Sequence, residues 1–240
     1  MEFKKKAIFV TGADSILGKE IALAFAKANP KILIITGKNQ NELSETEANC
    51  IKFCQNTKSI IGDMRKEEDI QSVVEFVERE TKGSLDIFIG SHGSNIQSTA
   101  ISEFDSNTFN EIMNINFTSM VHLTNLLARF MNEGSSIVFV TSTNDTKPAP
   151  LCSAYCSSKA ALSMFMKCAA IDLGKRGIRV NSIASCLPSI DEIKDIGKSL
   201  PCGHAPSYQG AVNAIMFLSS DMAKDITGIE QVVDCGMSLL

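Results

Sequence analysis

Tyr155 and Lys159 stand four residues apart in the run Tyr155-Cys156-Ser157-Ser158-Lys159, at the start of a stretch with helical patterning. Residues four apart share a helix face, so the phenol and the ammonium point the same way. A free tyrosine has a pKa of about 10. A neighbouring cation favours the phenolate and lowers that value, so this spacing predicts a tyrosine able to exchange a proton near neutral pH. The same spacing also occurs in ordinary amphipathic helices. Ser142 adds context, because it closes an apolar run upstream of Tyr155. The carboxyl ends of parallel strands are where open α/β sheets bind ligands. A hydroxyl there can orient a substrate oxygen, or simply cap a loop.

A second group of residues suggests phosphate chemistry. The first apolar run leads directly into Thr11-Gly12-Ala13-Asp14-Ser15-Ile16-Leu17-Gly18 and then into a helix through Ala28, broken by Asn29-Pro30. A glycine-containing strand-to-helix turn offers backbone N–H groups and a helix dipole to a phosphate. An NAD site places a carboxylate at the end of the second strand, about 20 residues on, to bind the ribose 2′-OH. Here Thr36-Gly37-Lys38 supplies no acid and a following cation. Lys38 suits a 2′-phosphate, so NADP is expected ahead of NAD, with an exposed surface lysine as the competing reading. Asp63, after the third run, could accept from an adenine amine or cap the helix beginning near Lys66.

These residues need a scaffold, and the hydropathy pattern supplies one. Apolar runs occur at 7–11, 31–36, 59–62, 85–89, 136–141, 178–183 and 230–233. Helical stretches separate them. Ile70, Val73, Val74 and Val77 follow the i, i+3, i+4, i+7 rule of a buried helix face. The spacing predicts one long helix over 106–132 and another over 154–173, the latter ended by Gly174 and Gly177. Nearly all-apolar strands alternating with helices imply an α/β fold: a single-domain, doubly wound parallel sheet of about seven strands, with helices on both faces. The region 187–207, interrupted by prolines and glycines, is expected to be a loop or lid.

Composition narrows the class. The chain has 240 residues, 44% of them apolar, and a net charge of -4. No basic run suggests a nucleic-acid groove, and no apolar stretch approaches the roughly 18 residues of a spanning helix. A cytoplasmic protein is expected, without nucleic acid or membrane partners. Its eight cysteines are then expected to be free thiols, because neither Cys50/Cys54 nor Cys152/Cys156 has metal-site spacing. No metal is expected.

In order along the chain, the Thr11-Gly12 turn, Asp63, the 85–89 run with Gly93 beyond it and Asn114-Ile115-Asn116-Phe117 resemble the short-chain dehydrogenase/reductase family. Ser142, Tyr155, Lys159, Ile178-Arg179-Val180-Asn181, Thr227-Gly228 and Asp234-Cys235-Gly236 continue the resemblance. It covers almost the whole chain and implies a Rossmann-type fold. It implies Tyr155 as general acid in reduction, Lys159 holding the ribose hydroxyls, Ser142 orienting the carbonyl, and Asn116 anchoring a water that links Lys159 to solvent. It also implies a cofactor site built from Gly12, Asp14, Ser15, Ile16, Leu17, Lys38, Asp63, Met64, Ser91, Gly93, Tyr155, Lys159 and Ser185.

Four positions depart from the family pattern. Ile16 occupies a glycine position in the first turn, where a β-branched residue resists positive φ. Gly90-Ser91-His92-Gly93 lacks the asparagine that ties neighbouring strands, and His92 falls near the nicotinamide pocket. Ser185-Cys186 replaces Pro-Gly. Cys235 replaces a glycine of the closing motif. The segment after Cys186 is also shorter than usual.

The expected function is an NADPH-dependent carbonyl reductase acting on a small ketone or 3-oxoacyl thioester, as a homodimer or homotetramer. The closing motif is similar to 3-oxoacyl-acyl-carrier-protein reductases, and Arg176 matches a basic carrier-binding position, but Asn132-Glu133 does not match the second. The alternative is a binding or regulatory protein on the same scaffold, motivated by Ile16, Ser185 and Cys235.

Overall fold

The computed structural model describes residues 2–94, 100–103, 105–186 and 197–240. The apolar runs become β1 (Ala7–Thr11), β2 (Ile32–Gly37), β3 (Thr57–Ile61), β4 (Leu85–Gly90), β5 (Met131–Ser142), β6 (Arg179–Ser185) and β7 (Glu230–Val233). They form a parallel sheet in the order β3-β2-β1-β4-β5-β6-β7. The chain winds outward from β1 in one direction and from β4 in the other, so the order reverses between these two strands. This is the doubly wound sheet expected from the sequence.

The helices among the described residues are α1 (Ile16–Lys27), α2 (Gln40–Ile51), α3 (Glu67–Thr81), α4 (Ser106–Met113), α5 (Ser119–Leu127), α6 (Ser153–Gly174) and α7 (Tyr208–Ser219). Alternate strand residues point to opposite faces and create two cores. Ile8, Val10, Leu33 and Ile35 pack with α1, α2 and α7, while Ala7, Phe9, Ile34 and Phe88 pack with α3, α5 and α6. Phe9, Phe88 and Phe139 line up across β1, β4 and β5, with centroids 5.7 and 6.2 Å apart. Each fully buried phenylalanine contributes ~1.5–3 kcal/mol, so this row fixes the three strands whose ends carry the site.

The expected helix over 106–132 is interrupted. After α4 comes one π turn, Asn114–Thr118, then α5, then a 3-10 turn at Ala128–Phe130. The extra residue of the π turn accompanies the burial of Asn116, which is held by polar partners. Met131 and Asn132 already belong to β5, because Met131 pairs with Leu85 before a register shift that resumes at Ile87 and Ser136. The helix predicted over 154–173 runs one residue further at each end. Of the expected lid, residues 187–196 lie outside the described residues. Its remainder makes a short turn at Gly197–Ser199 and reaches the closing motif, where Cys202 N donates to Cys235 O at 3.3 Å.

Candidate active site

The first loop closes tightly at the point where strand order reverses. Gly12 adopts φ +69, and a Cβ there would stand 2.8 Å from the His92 backbone, so only glycine fits. Ser15 caps α1, donating to Gly12 O at 2.8 Å and accepting from Gly18 N at 3.1 Å. Ile16 is not held in the left-handed conformation that it resists. It is the first residue of α1 and has no positive φ, and its side chain is 57% exposed at the helix mouth. Leu17 turns instead into the core beneath α1.

A cleft of about 380 Å³ opens over this loop. Gly12, Asp14, Ser15, Lys38, Asp63, Met64, Ser91 and Gly93 line it, as do Arg65 and His92. Ile16, Leu17 and Ser185 do not, and neither do Asn116, Ser142, Tyr155 and Lys159. Ser185 sits at the end of β6, paired with Ser142 and Val233. The expected residues therefore fall into two groups: the cleft, and a cluster at the ends of β5 and α6.

At the outer end of the cleft the geometry adds something the sequence did not display. Asp14 Oδ2 accepts from the Lys38 and Asn39 amides, both at 2.9 Å. A carboxylate thus stands at the end of β2 after all, delivered by the first loop. Asp63 lines the cleft but does not cap α3. Arg65 Nε grips it at 2.9 and 3.1 Å, and this guanidinium holds the Asp63 carboxyl down at about 2. The α3 cap position is Lys66, which makes no side-chain cap bond.

At the inner end, Ser91 and His92 do the tying that the absent asparagine would do. Ser91 Oγ donates to Thr11 O at 2.5 Å, and Ser91 N donates to Thr11 Oγ1 at 3.1 Å. The His92 ring bridges Thr11 Oγ1 and Ser119 Oγ, each at 2.8 Å. Burial depresses its pKa to about 3, so the ring is neutral and has one N–H. Each hydroxyl also has a carbonyl to donate to, Ser119 Oγ to Ile115 O at 2.8 Å and Thr11 Oγ1 to Ile89 O at 3.3 Å, and the neutral ring donates to one hydroxyl through its single N–H while its other nitrogen is an acceptor. His92 is a strut between β1, β4 and α5.

Tyr155, Lys159, Ser142 and Asn116 assemble next to it. Lys159 is 5% exposed, donates to Val140 O at 3.0 Å, and lies 5.8 Å from the centre of the Tyr155 ring. Burial lowers its pKa to about 8. Tyr155 reaches the Ser142 hydroxyl. The expected lowering of its pKa by Lys159 is not found. Burial dominates and raises it, offset in part by Ser142, so the phenol keeps its proton at neutral pH. Ser142 also caps the following turn through Asn144 N at 3.2 Å. Asn116 is fully buried, donating to Ser158 Oγ at 3.0 Å and accepting from Ser94 N at 2.8 Å. Gly93 joins the two groups: a Cβ there would lie 2.9 Å from Asn116 Oδ1 and 3.6 Å from Lys159 Nζ. A side chain at Gly93 would press on Asn116, where the cleft meets this cluster.

Cys235 explains its own departure. Its φ is +56, the left-handed region where glycine is at ease, and a side chain there costs roughly 1–2 kcal/mol. All eight cysteines are free thiols. Among the described residues no cluster of three or more His, Cys, Asp or Glu could hold a metal, and no helix is long and apolar enough to cross a membrane.

A parallel sheet with a glycine-closed cleft where its strand order reverses is a dinucleotide-binding oxidoreductase scaffold. The chain belongs to the short-chain dehydrogenase family, which it matches over residues 6–191. It is 28% identical over 257 residues to the L-xylulose reductase of Caenorhabditis elegans, covering 99% of this chain and 97% of that one. It is 30% identical over 257 residues to the (+)-cis,trans-nepetalactol synthase NEPS2 of Nepeta racemosa, covering 98% and 94%. The solved short-chain type dehydrogenase/reductase from Mycobacterium ulcerans superposes with a TM-score of 0.92 at 25% identity, covering 100% of this chain and 92% of that one.

Proposed function

We propose that this chain is an NADPH-dependent oxidoreductase that reduces a small carbonyl compound to its alcohol, with Tyr155 as the general acid. One observation carries the reading: Tyr155 meets Ser142 while Lys159 lies buried beside the phenol, at the inner end of a glycine-lined cleft. The residues fit a dinucleotide. Gly12 and Ser15 would receive the pyrophosphate, Met64 and Asp63 would flank the adenine, and Lys159 would hold the ribose of the nicotinamide half. When bound, the cofactor supplies the hydride. The chain does the rest. Ser142 orients the substrate oxygen, and the Tyr155 hydroxyl gives that oxygen its proton. Lys159 keeps positive charge beside the phenolate that remains.

Lys38, exposed at the cleft edge, supports NADPH; Asp14 opposes it. The substrate class, a small ketone or 3-oxoacyl thioester, fits the sugar ketone named for the L-xylulose reductase relative. A homo-oligomer fits the exposed stripe of Met164, Cys168 and Ile171 on α6. Free thiols fit a cytoplasmic setting.

The test is fluorescence titration with NADPH and NADH, followed by a screen of carbonyl compounds read by loss of NADPH absorbance. Tight NADPH binding with turnover, and a Tyr155→Phe variant that binds cofactor but loses turnover by about 10²–10⁴-fold, are expected. Undiminished turnover in Tyr155→Phe removes the acid assignment. Failure to bind either cofactor at millimolar concentration favours a regulatory scaffold.

A further inference from the structure

Behind Tyr155 lies an acidic pair that the reaction as described does not use. Thr143–Asp145 form a 3-10 turn directly after Ser142. Both Asp145 carboxyl oxygens are buried and accept no well-formed hydrogen bond, and the adjacent Thr146 compensates only partly. The carboxyl lies within hydrogen-bonding reach of Glu230 on β7. Glu230 Oε1, in turn, has Thr141 Oγ1 at 2.6 Å and Ser182 Oγ at 2.9 Å. Among the described residues, neither acid forms a salt bridge.

Proton accounting follows from these contacts. Two carboxylates held this close, with no cation in a salt bridge to either, resist ionising together near neutral pH. Glu230 has two hydroxyls turned toward it, of which Thr141 Oγ1 also reaches Ile183 O at 3.0 Å. Asp145 has only Thr146 to offset its burial and is the member that holds a proton near neutral pH. Burial first, and then Glu230, push Asp145 up to about 7. The groups facing Asp145 are Glu230 from β7, and Tyr155 and Lys159 from α6. When Asp145 ionises, its charge raises the pKa of both Tyr155 and Lys159.

We propose that Asp145 and Glu230 form a proton-sharing carboxyl dyad, and that Asp145 is a positioning residue which adds a negative charge behind Tyr155 and Lys159 as the medium turns alkaline. The second half rests on the catalytic reading above; the first does not. The chemical consequence is a bias. Above neutral pH the extra charge holds the phenolic proton in place, so reduction keeps its acid. Alcohol oxidation, which needs Tyr155 to lose that proton, is restrained.

Two measurements test this on the full chain. The first is melting temperature against pH for the wild type, Asp145→Asn and Glu230→Gln, with no turnover required. The folded state holds a proton on Asp145 that the unfolded chain releases above about pH 4, so the Asp145 contribution to stability falls as pH rises from there to about 7 and then levels, while His92 adds the opposite slope over the same range. Measured against the wild type, Asp145→Asn is therefore expected to gain melting temperature from pH 4 to 7 and to melt above it at pH 8, with Glu230→Gln moving the same way. Wild-type and Asp145→Asn curves that run parallel overturn the dyad. The second is kcat/KM for alcohol oxidation against pH. The alkaline rise in Asp145→Asn is expected about half a pH unit or more below that of the wild type, the size of effect a unit charge several ångströms away produces. An unmoved profile beside diverging melting curves overturns the positioning role. A wild type that binds cofactor but turns over nothing sinks the catalytic reading, and the positioning role with it, while the melting curves still decide the dyad.

Discussion

The Lys159 ammonium donates to the Val140 carbonyl at 3.0 Å, anchoring α6 to the strand that ends in Ser142. The bond places a charge where little water reaches, and burial lowers the lysine from its ordinary 10.5 to about 8. A cation whose folded value is depressed destabilises the fold while both states are charged. That burden lifts as pH rises from about 8 toward 10.5, because the unfolded chain then holds a proton the folded one has released.

Lys159→Met therefore has opposite effects on two properties. It is expected to melt above the wild type at pH 7, with the gap narrowing above pH 8, and to lose turnover by about 10²–10⁴-fold. Thermal scans from pH 7 to 10 and steady-state rates check both. A variant less stable than the wild type at pH 7 refutes the account of the buried charge.

On the NADPH reading, Lys38 and Asp14, whose charges oppose each other at the edge of the cleft, set cofactor choice. Lys38→Ala is expected to weaken NADPH binding several-fold and leave NADH nearly unchanged. Asp14→Asn is expected to strengthen NADPH relative to NADH, since the amide oxygen still accepts from the Lys38 and Asn39 backbones while the repulsive charge is gone. Fluorescence titrations with both nucleotides measure the ratio. Equal losses for the two nucleotides in Lys38→Ala remove the 2′-phosphate assignment.

His92 predicts an acid weakness. Its folded value is about 3, against about 6.5 in an unfolded chain. Below pH 6.5 the unfolded state takes up a proton that the folded state refuses, so stability falls as the pH drops toward 3. His92→Gln, which can still reach a hydroxyl but cannot titrate, is expected to show a shallower fall between pH 6.5 and 4. His92→Ala is expected to cost about 2–4 kcal/mol at pH 7, by opening a cavity and leaving Thr11 and Ser119 without their bridge. Chemical denaturation across that pH range gives both numbers.

Much of the sheet was legible because parallel strands buried on both faces are nearly continuous apolar runs, and those at Ala7–Thr11 and Leu85–Ile89 could hardly be anything else. Tyr155 and Lys159 were legible because helix geometry alone puts residues four apart on one face. What was hidden depended on distance in three dimensions. Asp14 reaches the end of β2 across 24 positions of sequence, so no scan of the residues after Thr36 would find it. The π turn at Asn116 left no periodicity signal, because inserting one residue changes only the phase of a pattern already weak there. The rise in the Tyr155 pKa was missed because spacing reveals a neighbouring lysine but not the depth to which both are sunk. The Asp145–Glu230 pair is the extreme case: the two acids are 85 positions apart, and each alone reads as an ordinary polar residue near a strand end.

Helix α6 turns Tyr155 and Lys159 inward and leaves Met164, Cys168 and Ile171 in the open. A rigid rod transmits tilt along its whole length, so whatever grips the outer side also aims the phenol. Substitutions on that outer stripe thus act on the phenol from roughly 14–24 Å away along the helix, about 1.5 Å of lever for each residue separating them from Tyr155, and surface location gives them no immunity.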